Sequence, residues 1–233
     1  MEIIKFETYH QYKREQFRTV KSRRRNGFSS KEIQLACDYL KAHGALSTPS
    51  PFGICHGVRN GLEADEFVAH LPSATVIGTD LFLSTKLIPD GYTHKCKMVE
   101  WDFSVANPEW TEKMDWVYSN ALDHSRDPQA TLKTWVEQLK PTGFVLIKWT
   151  TISTGVHGGD CFSCDLNEML TLANQVGRVN DLIYLGGSNR RSTHYVLIVI
   201  GKPIIMAPSR REMLKALKEK RRARNAKKSL STP

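Results

Sequence analysis

The chain has 233 residues, 40% of them hydrophobic, enough for a full core in one α/β domain or two small ones. It shows no apolar run of membrane-spanning length, and its basic N-terminus lacks the apolar stretch of a signal peptide; a chain with no membrane partner is expected. Five scattered cysteines argue against a disulfide framework and for a reducing, cytoplasmic compartment. The formal net charge of +9 is unevenly placed. Residues 1–31 carry nine Lys/Arg against three Asp/Glu, and residues 202–233 eleven against two, so the body between them is net acidic. Basic ends of this kind are expected to meet nucleic acid or another anionic surface, or to serve as a solubilising tail or a nuclear localisation signal. The expected organisation is a basic N-terminal segment with a helix (1–49), a folded body (50–201) and a basic C-terminal tail (202–233).

In chain order, residues 1–31 read as polar and basic, with Arg23-Arg24-Arg25-Asn26-Gly27 as a loop. Ser29 or Ser30 caps a helix from Lys31 to about His43, whose apolar face carries Ile33, Leu35, Ala36, Tyr39 and Leu40. Pro51 to Gly61 is a short apolar run that enters a turn with glycines at Gly57 and Gly61, and a helix follows from Leu62. Strand, glycine turn and helix together let backbone approach a ligand, and the free N–H groups of the helix start favour an anion. Further strands are expected at Ala74–Asp80, Lys97–Trp101, Asp115–Ser119 and Phe144–Trp149. A helix runs from Pro128 to about Leu139, and Leu139-Lys140-Pro141-Thr142-Gly143 reads as a turn. Residues 150–164 form a Gly/Ser/Thr-rich loop suited to a lid. A helix at Asp165–Gln175 precedes two strands, Asn180–Leu185 and His194–Ile200, joined through Gly186–Arg191. A charged helix from Ser209 to about Arg224 closes the chain. The alternation argues for a mostly parallel sheet with an antiparallel strand inserted near one edge.

Gly57, Asp80, Asp102 and Asn120 fall at the carboxyl ends of successive strands, the edge where open α/β sheets bind ligands. A carboxylate at Asp80 suits two ribose hydroxyls, and Asp102 with Phe103 could bracket an adenine. The G-x-G-x-x-G fingerprint of nicotinamide enzymes fails at Arg59 and Leu62, and G-x-x-x-x-G-K-[ST] is absent. The sequence resembles the class I S-adenosylmethionine-dependent methyltransferases over roughly residues 50–200. Cys55-His56-Gly57-Val58-Arg59-Asn60-Gly61 stands where that family has acid-x-Gly-x-Gly-x-Gly, with Cys55 replacing the acid and Arg59 the middle glycine. Trp116 to His124 looks like the fourth-strand motif, and Leu139 to Gly143 like the Leu-Lys-Pro-Gly-Gly turn.

The resemblance implies a Rossmann-like three-layer α/β/α sandwich, with a seven-stranded, mostly parallel sheet whose last strand is antiparallel. It implies S-adenosyl-L-methionine as cofactor, held by Cys55, His56, Gly57, Arg59 and Gly61 in the turn. Asp80, Leu81, Asp102, Phe103, Asn120 and Ala121 would complete that site. Arg59 could clamp the carboxylate of the methionine part, or sit on the surface. Candidate catalytic residues are His124 as a base beside Asp123, and Lys148. Lys148, Asn120 and His194 stand roughly where a ribose 2′-O-methyltransferase tetrad has Lys, Asp and Glu. His157, Cys161 and Cys164 lack the second Cys/His pair of a zinc site, so no metal is expected. The expected function is methyl transfer to RNA or another nucleic acid, or to a small metabolite. An inactive nucleic-acid-binding protein on the same fold is the alternative, supported by the altered glycine loop.

Overall fold

In a computed structural model, which describes residues 1–22, 25–86, 88–188 and 193–203, the chain begins with β1 (Glu2–Ile3), α1 (Tyr9–Ser22) and α2 (Ser30–Ala42). It continues through β2 (Phe52–His56), α3 (Leu62–His70), β3 (Thr75–Asp80), β4 (Lys97–Glu100), β5 (Met114–Ser119) and α4 (Pro128–Gln138). The remaining elements are β6 (Leu139–Thr150), β7 (Phe162–Ser163), α5 (Leu166–Val176), β8 (Arg178–Ser188) and β9 (Thr193–Gly201).

The apolar runs become strands because both of their faces find a partner. Ile54, Val117, Val145 and Ile147 pack with Leu132, Trp135 and Met169 from α4 and α5. The alternate residues Cys55, Trp116, Tyr118 and Leu146 pack with Ile33 and Leu40 from α2 and Phe67 from α3. A strand that buries both sides reads as a continuous apolar run, and helices on both faces make three layers. The seven-stranded sheet runs β4-β3-β2-β5-β6-β9-β8. Its first five strands are parallel, and β9 is antiparallel to both β6 and β8. The chain leaves β2 toward β3 and β4, then returns to β5 on the other side of β2. That reversal opens a crevice beyond the carboxyl ends of β2 and β5.

Capping follows sequence chemistry. Ser29 caps α2 in a capping box with Glu32, and Asp165 caps α5 in another with Glu168. The expected turn at Leu139–Gly143 is instead extended chain within β6. Met114 pairs with Leu139 and Trp116 with Phe144, so the extra residues form a bulge. Helix α1 was not expected at all. It belongs with residues 1–202 to one unit, and β1 ties its start to β7 in antiparallel pairing. The second unit is residues 203–233, of which only Pro203 is described, so the expected charged helix and tail lie outside the described residues. Among the described residues no helix is long and apolar enough to cross a membrane.

One contact sets the spacing of the central strands. A Cβ at Gly53 would lie 1.9–2.5 Å from the indole of Trp116, a fully buried side chain stacked on Phe67. Gly53→Ala should therefore overpack this layer and cost about 1–3 kcal/mol, read as a lower urea midpoint at unchanged slope.

Candidate functional site

The carboxyl ends of β2, β3, β5 and β6 open into a cavity of about 710 Å³. The turn after β2 shapes its floor. Gly57 has φ +75°, and a Cβ there would lie 2.3 Å from that of Ala121, so only glycine lets the two turns meet. Arg59 also takes the left-handed conformation, at φ 50°, where a glycine costs less. Its N–H donates to Asp80 Oδ2 at 2.7 Å, and Phe82 N–H donates to Asp80 Oδ1 at 3.0 Å. Burial pushes the Asp80 carboxyl above its ordinary range, against the pull of those two bonds. The Arg59 guanidinium donates to Asn26 Oδ1 at 2.8 Å and to the Arg25 carbonyl, so it rims the cavity against the loop before α2.

Of the residues expected at a cofactor, Gly57, Arg59, Asp80, Leu81, Phe103, Asn120 and Ala121 line this cavity, as do Asp123, His124 and Lys148. Four others do not. Cys55 turns its thiol into the apolar layer under α2 and α3. His56 points to the opposite face, where its Nδ1 accepts from Thr79 Oγ1 at 2.7 Å and its Nε2–H donates to Gln138 Oε1 at 3.0 Å. Side chains alternate along a strand, so these neighbours point to opposite faces of the sheet, and each is taken up by the packed layer on its side. Gly61 sits in the left-handed region at the start of α3 against Met98 and His94. Asp102 lies off the cavity wall and accepts from the Tyr9 hydroxyl at 2.8 Å and from Ser104 N–H.

Helix α1 crosses the carboxyl edge. Besides the Tyr9 bond, the Tyr12 hydroxyl donates to the His124 carbonyl and Gln16 Nε2 to the Gly159 carbonyl at 2.8 Å. At its far end Lys86 Nζ donates to the Lys21 carbonyl. Tyr12, Gln16, Thr19 and Val20 thereby wall the cavity. These were missed in the sequence because the segment is so basic. Their three- and four-residue spacing is the signal that would have found them.

His124 Nδ1–H donates to the Gly159 carbonyl at 2.8 Å, and Nδ1 lies 3.5 Å from Asp160 Oδ1, while Nε2 lies 3.9 Å from Asp123 Oδ1. Lys148 Nζ pairs with Glu32 at 2.8 Å and donates to the Gly27 carbonyl, joining the sheet to the start of α2. His194 bonds the Tyr184 hydroxyl instead of Lys148, so the tetrad does not assemble. Cys161 donates to the His124 carbonyl, and Cys164 lies in the core. Burial pushes both thiols up to about 12.

No protein-family model and no curated protein matches this sequence. Solved structures do. A Burkholderia thailandensis 1,6-didemethyltoxoflavin N1-methyltransferase, with 1,6-didemethyltoxoflavin and S-adenosylhomocysteine bound, matches at TM-score 0.62 and 15% identity, over 86% of this chain and 92% of its own. A Haemonchus contortus phosphoethanolamine N-methyltransferase 2 with S-adenosylmethionine matches at TM-score 0.55 and 14% identity, over 74% of this chain and 52% of its own. The fold is that of the class I methyltransferases. The [4+2]-cyclase SpnF shares it, at TM-score 0.58 and 13% identity over 73% of this chain and 82% of its own. A class I fold therefore does not by itself assign the reaction. The chain spans about half the length of several of the structures it matches.

His56 offers a test of this geometry. Burial lowers its pKa from 6.5 to about 4, so it is neutral in the fold. As pH falls through 6.5 the unfolded chain takes up the proton first, and stability is lost from there down toward about 4. Glu63 works with the opposite sign, since burial raises its pKa to about 8 and its contribution is lost as pH rises from 4.5. Comparing wild type with His56→Gln isolates the histidine. Between about pH 7 and pH 5 the wild type should lose about 2 kcal/mol more unfolding free energy than the variant.

Proposed function

We propose that this chain is an S-adenosylmethionine-dependent methyltransferase that acts on a small-molecule acceptor. The observation that carries the reading is the continuous cavity running from Asp80 to His124 beneath α1. Its volume lies in the range of small-molecule sites. A helix strapped across the strand ends suits a small acceptor better than a polymer, which needs an open groove.

The residues present fit the cofactor. Gly57 leaves space that a Cβ would fill, allowing close backbone approach. Each Asp80 oxygen spends one acceptor site on a backbone N–H and keeps another for a ribose hydroxyl. Phe103 and Leu81 add apolar wall beside it. The bound cofactor supplies an electrophilic methyl group on sulfur. The chain's task is to align the acceptor and keep water out. His124 is the base in this reading. Its Nδ1–H bond to Gly159 fixes the tautomer with a basic Nε2, and Asp123 and Asp160 stabilise the imidazolium formed once it takes the acceptor's proton.

Incubating the protein with tritiated-methyl S-adenosylmethionine and separate pools of metabolites, RNA, DNA and protein tests the acceptor class. Label is expected in the metabolite pool; label confined to RNA or DNA would overturn the acceptor. In the same assay His124→Gln should lower kcat about 10²- to 10⁴-fold with cofactor Kd unchanged. Asp80→Asn should weaken cofactor binding by about 1–3 kcal/mol.

A further inference from the structure

The turn after β2 has no acid of its own, because Cys55 is a buried thiol facing the core. Eight residues further on, a carboxylate stands in the cavity wall. Glu63 is the second residue of α3 and only 2% exposed. Its Oε1 accepts from Asn120 Nδ2 at 2.7 Å, which aims the carboxylate across the gap between the β2 and β5 turns. Among the described residues no ion pair reaches it. Lys148, whose charge acts on it most strongly, is committed to Glu32 and the Gly27 carbonyl. Burial accordingly pushes the Glu63 carboxyl up to about 8. At that value the empty site holds Glu63 mainly as the neutral acid near pH 7, and a ligand that brings a cation draws it into the carboxylate form.

The position of Glu63 says which cation. On the cofactor reading, the ribose meets Asp80 on the β3 side of β2. The amino-acid end then runs past the Gly57–Gly61 turn toward the start of α3. There the Arg59 guanidinium and the backbone N–H groups of the helix start suit its carboxylate. What remains is the ammonium on the same carbon. We propose that Glu63, held by Asn120, receives the α-ammonium of the cofactor's methionine part in place of the acid missing at Cys55. Glu63 is then a binding residue that selects a zwitterionic tail. The altered turn has moved its negative charge from the end of β2 to the first turn of α3, and need not have lost the cofactor.

This assignment rests on the cofactor reading, and calorimetry with two ligands separates the two. S-adenosylhomocysteine carries the ammonium; its desamino analogue, with hydrogen in place of the α-amino group, does not. Wild type should bind the analogue roughly 10- to 100-fold more weakly, the worth of one charge-assisted bond. Glu63→Gln keeps the shape and the Asn120 bond. It should lose about the same factor for S-adenosylhomocysteine and nothing for the analogue. Equal wild-type affinity for both ligands overturns the proposal without any variant. A variant that loses the same factor for both shows a structural role and also overturns it. Wild type that binds neither ligand overturns the cofactor reading itself, and this assignment with it.

Discussion

The site depends on one buried carboxylate. Asp80 ends β3 with both oxygens held by backbone N–H groups, from Arg59 in the neighbouring turn and from Phe82 in its own. Charge-assisted bonds to backbone are strong and directional, and here they tie the turn after β2 to the end of β3. The same bond holds Arg59 in a left-handed conformation that its side chain disfavours. A glycine would reach that geometry without help; arginine reaches it because Asp80 rewards it. With the turn fixed, Gly57 can lie against Ala121, and the ends of β2, β3 and β5 share one floor.

A second constraint works from above. Helix α1 carries few apolar residues and would be marginal alone. It is held by polar bonds spread along its length, from Tyr9 on Asp102, through Tyr12 and Gln16 on the 124 and 159 carbonyls, to Lys86 on the Lys21 carbonyl. Two of these anchors are backbone carbonyls of loops, and the other two are the polar side chains of Asp102 and Lys86. A segment held this way opens at lower cost than a packed helix, as entry to a covered cavity requires. The loop at 150–164 shares the work, since Gly159 binds both Gln16 and His124.

The sheet was legible in the sequence because both faces of each central strand are buried, and apolar runs broken by glycine, proline and acid mark their ends. Asp80, Gly57 and Asn120 were legible for the same reason: strand ends at regular spacing place them on one edge. Residue-level contacts were harder. Whether Cys55 or His56 reaches the site depends on the side of the strand, and a turn motif does not encode that parity. The Leu139–Gly143 turn read as punctuation because of Pro141 and Gly143, yet the bulge keeps those residues in β6. Helix α1 was hidden by its charge, its cavity-facing side being Tyr, Gln and Thr rather than aliphatic. Glu63 was hidden by its helix, where an acid in the first turn is ordinary dipole chemistry.

On the proposed reading the cofactor lies on the carboxyl edge beneath α1. Hydrogen–deuterium exchange with and without S-adenosylhomocysteine tests it most directly, because it reports where binding stabilises backbone whatever the acceptor is. Slower exchange is expected in residues 9–22 and in the 57–61 turn, with β8 and β9 unchanged. Unaltered exchange in both segments at saturating ligand, or protection confined to β8 and β9, would contradict it.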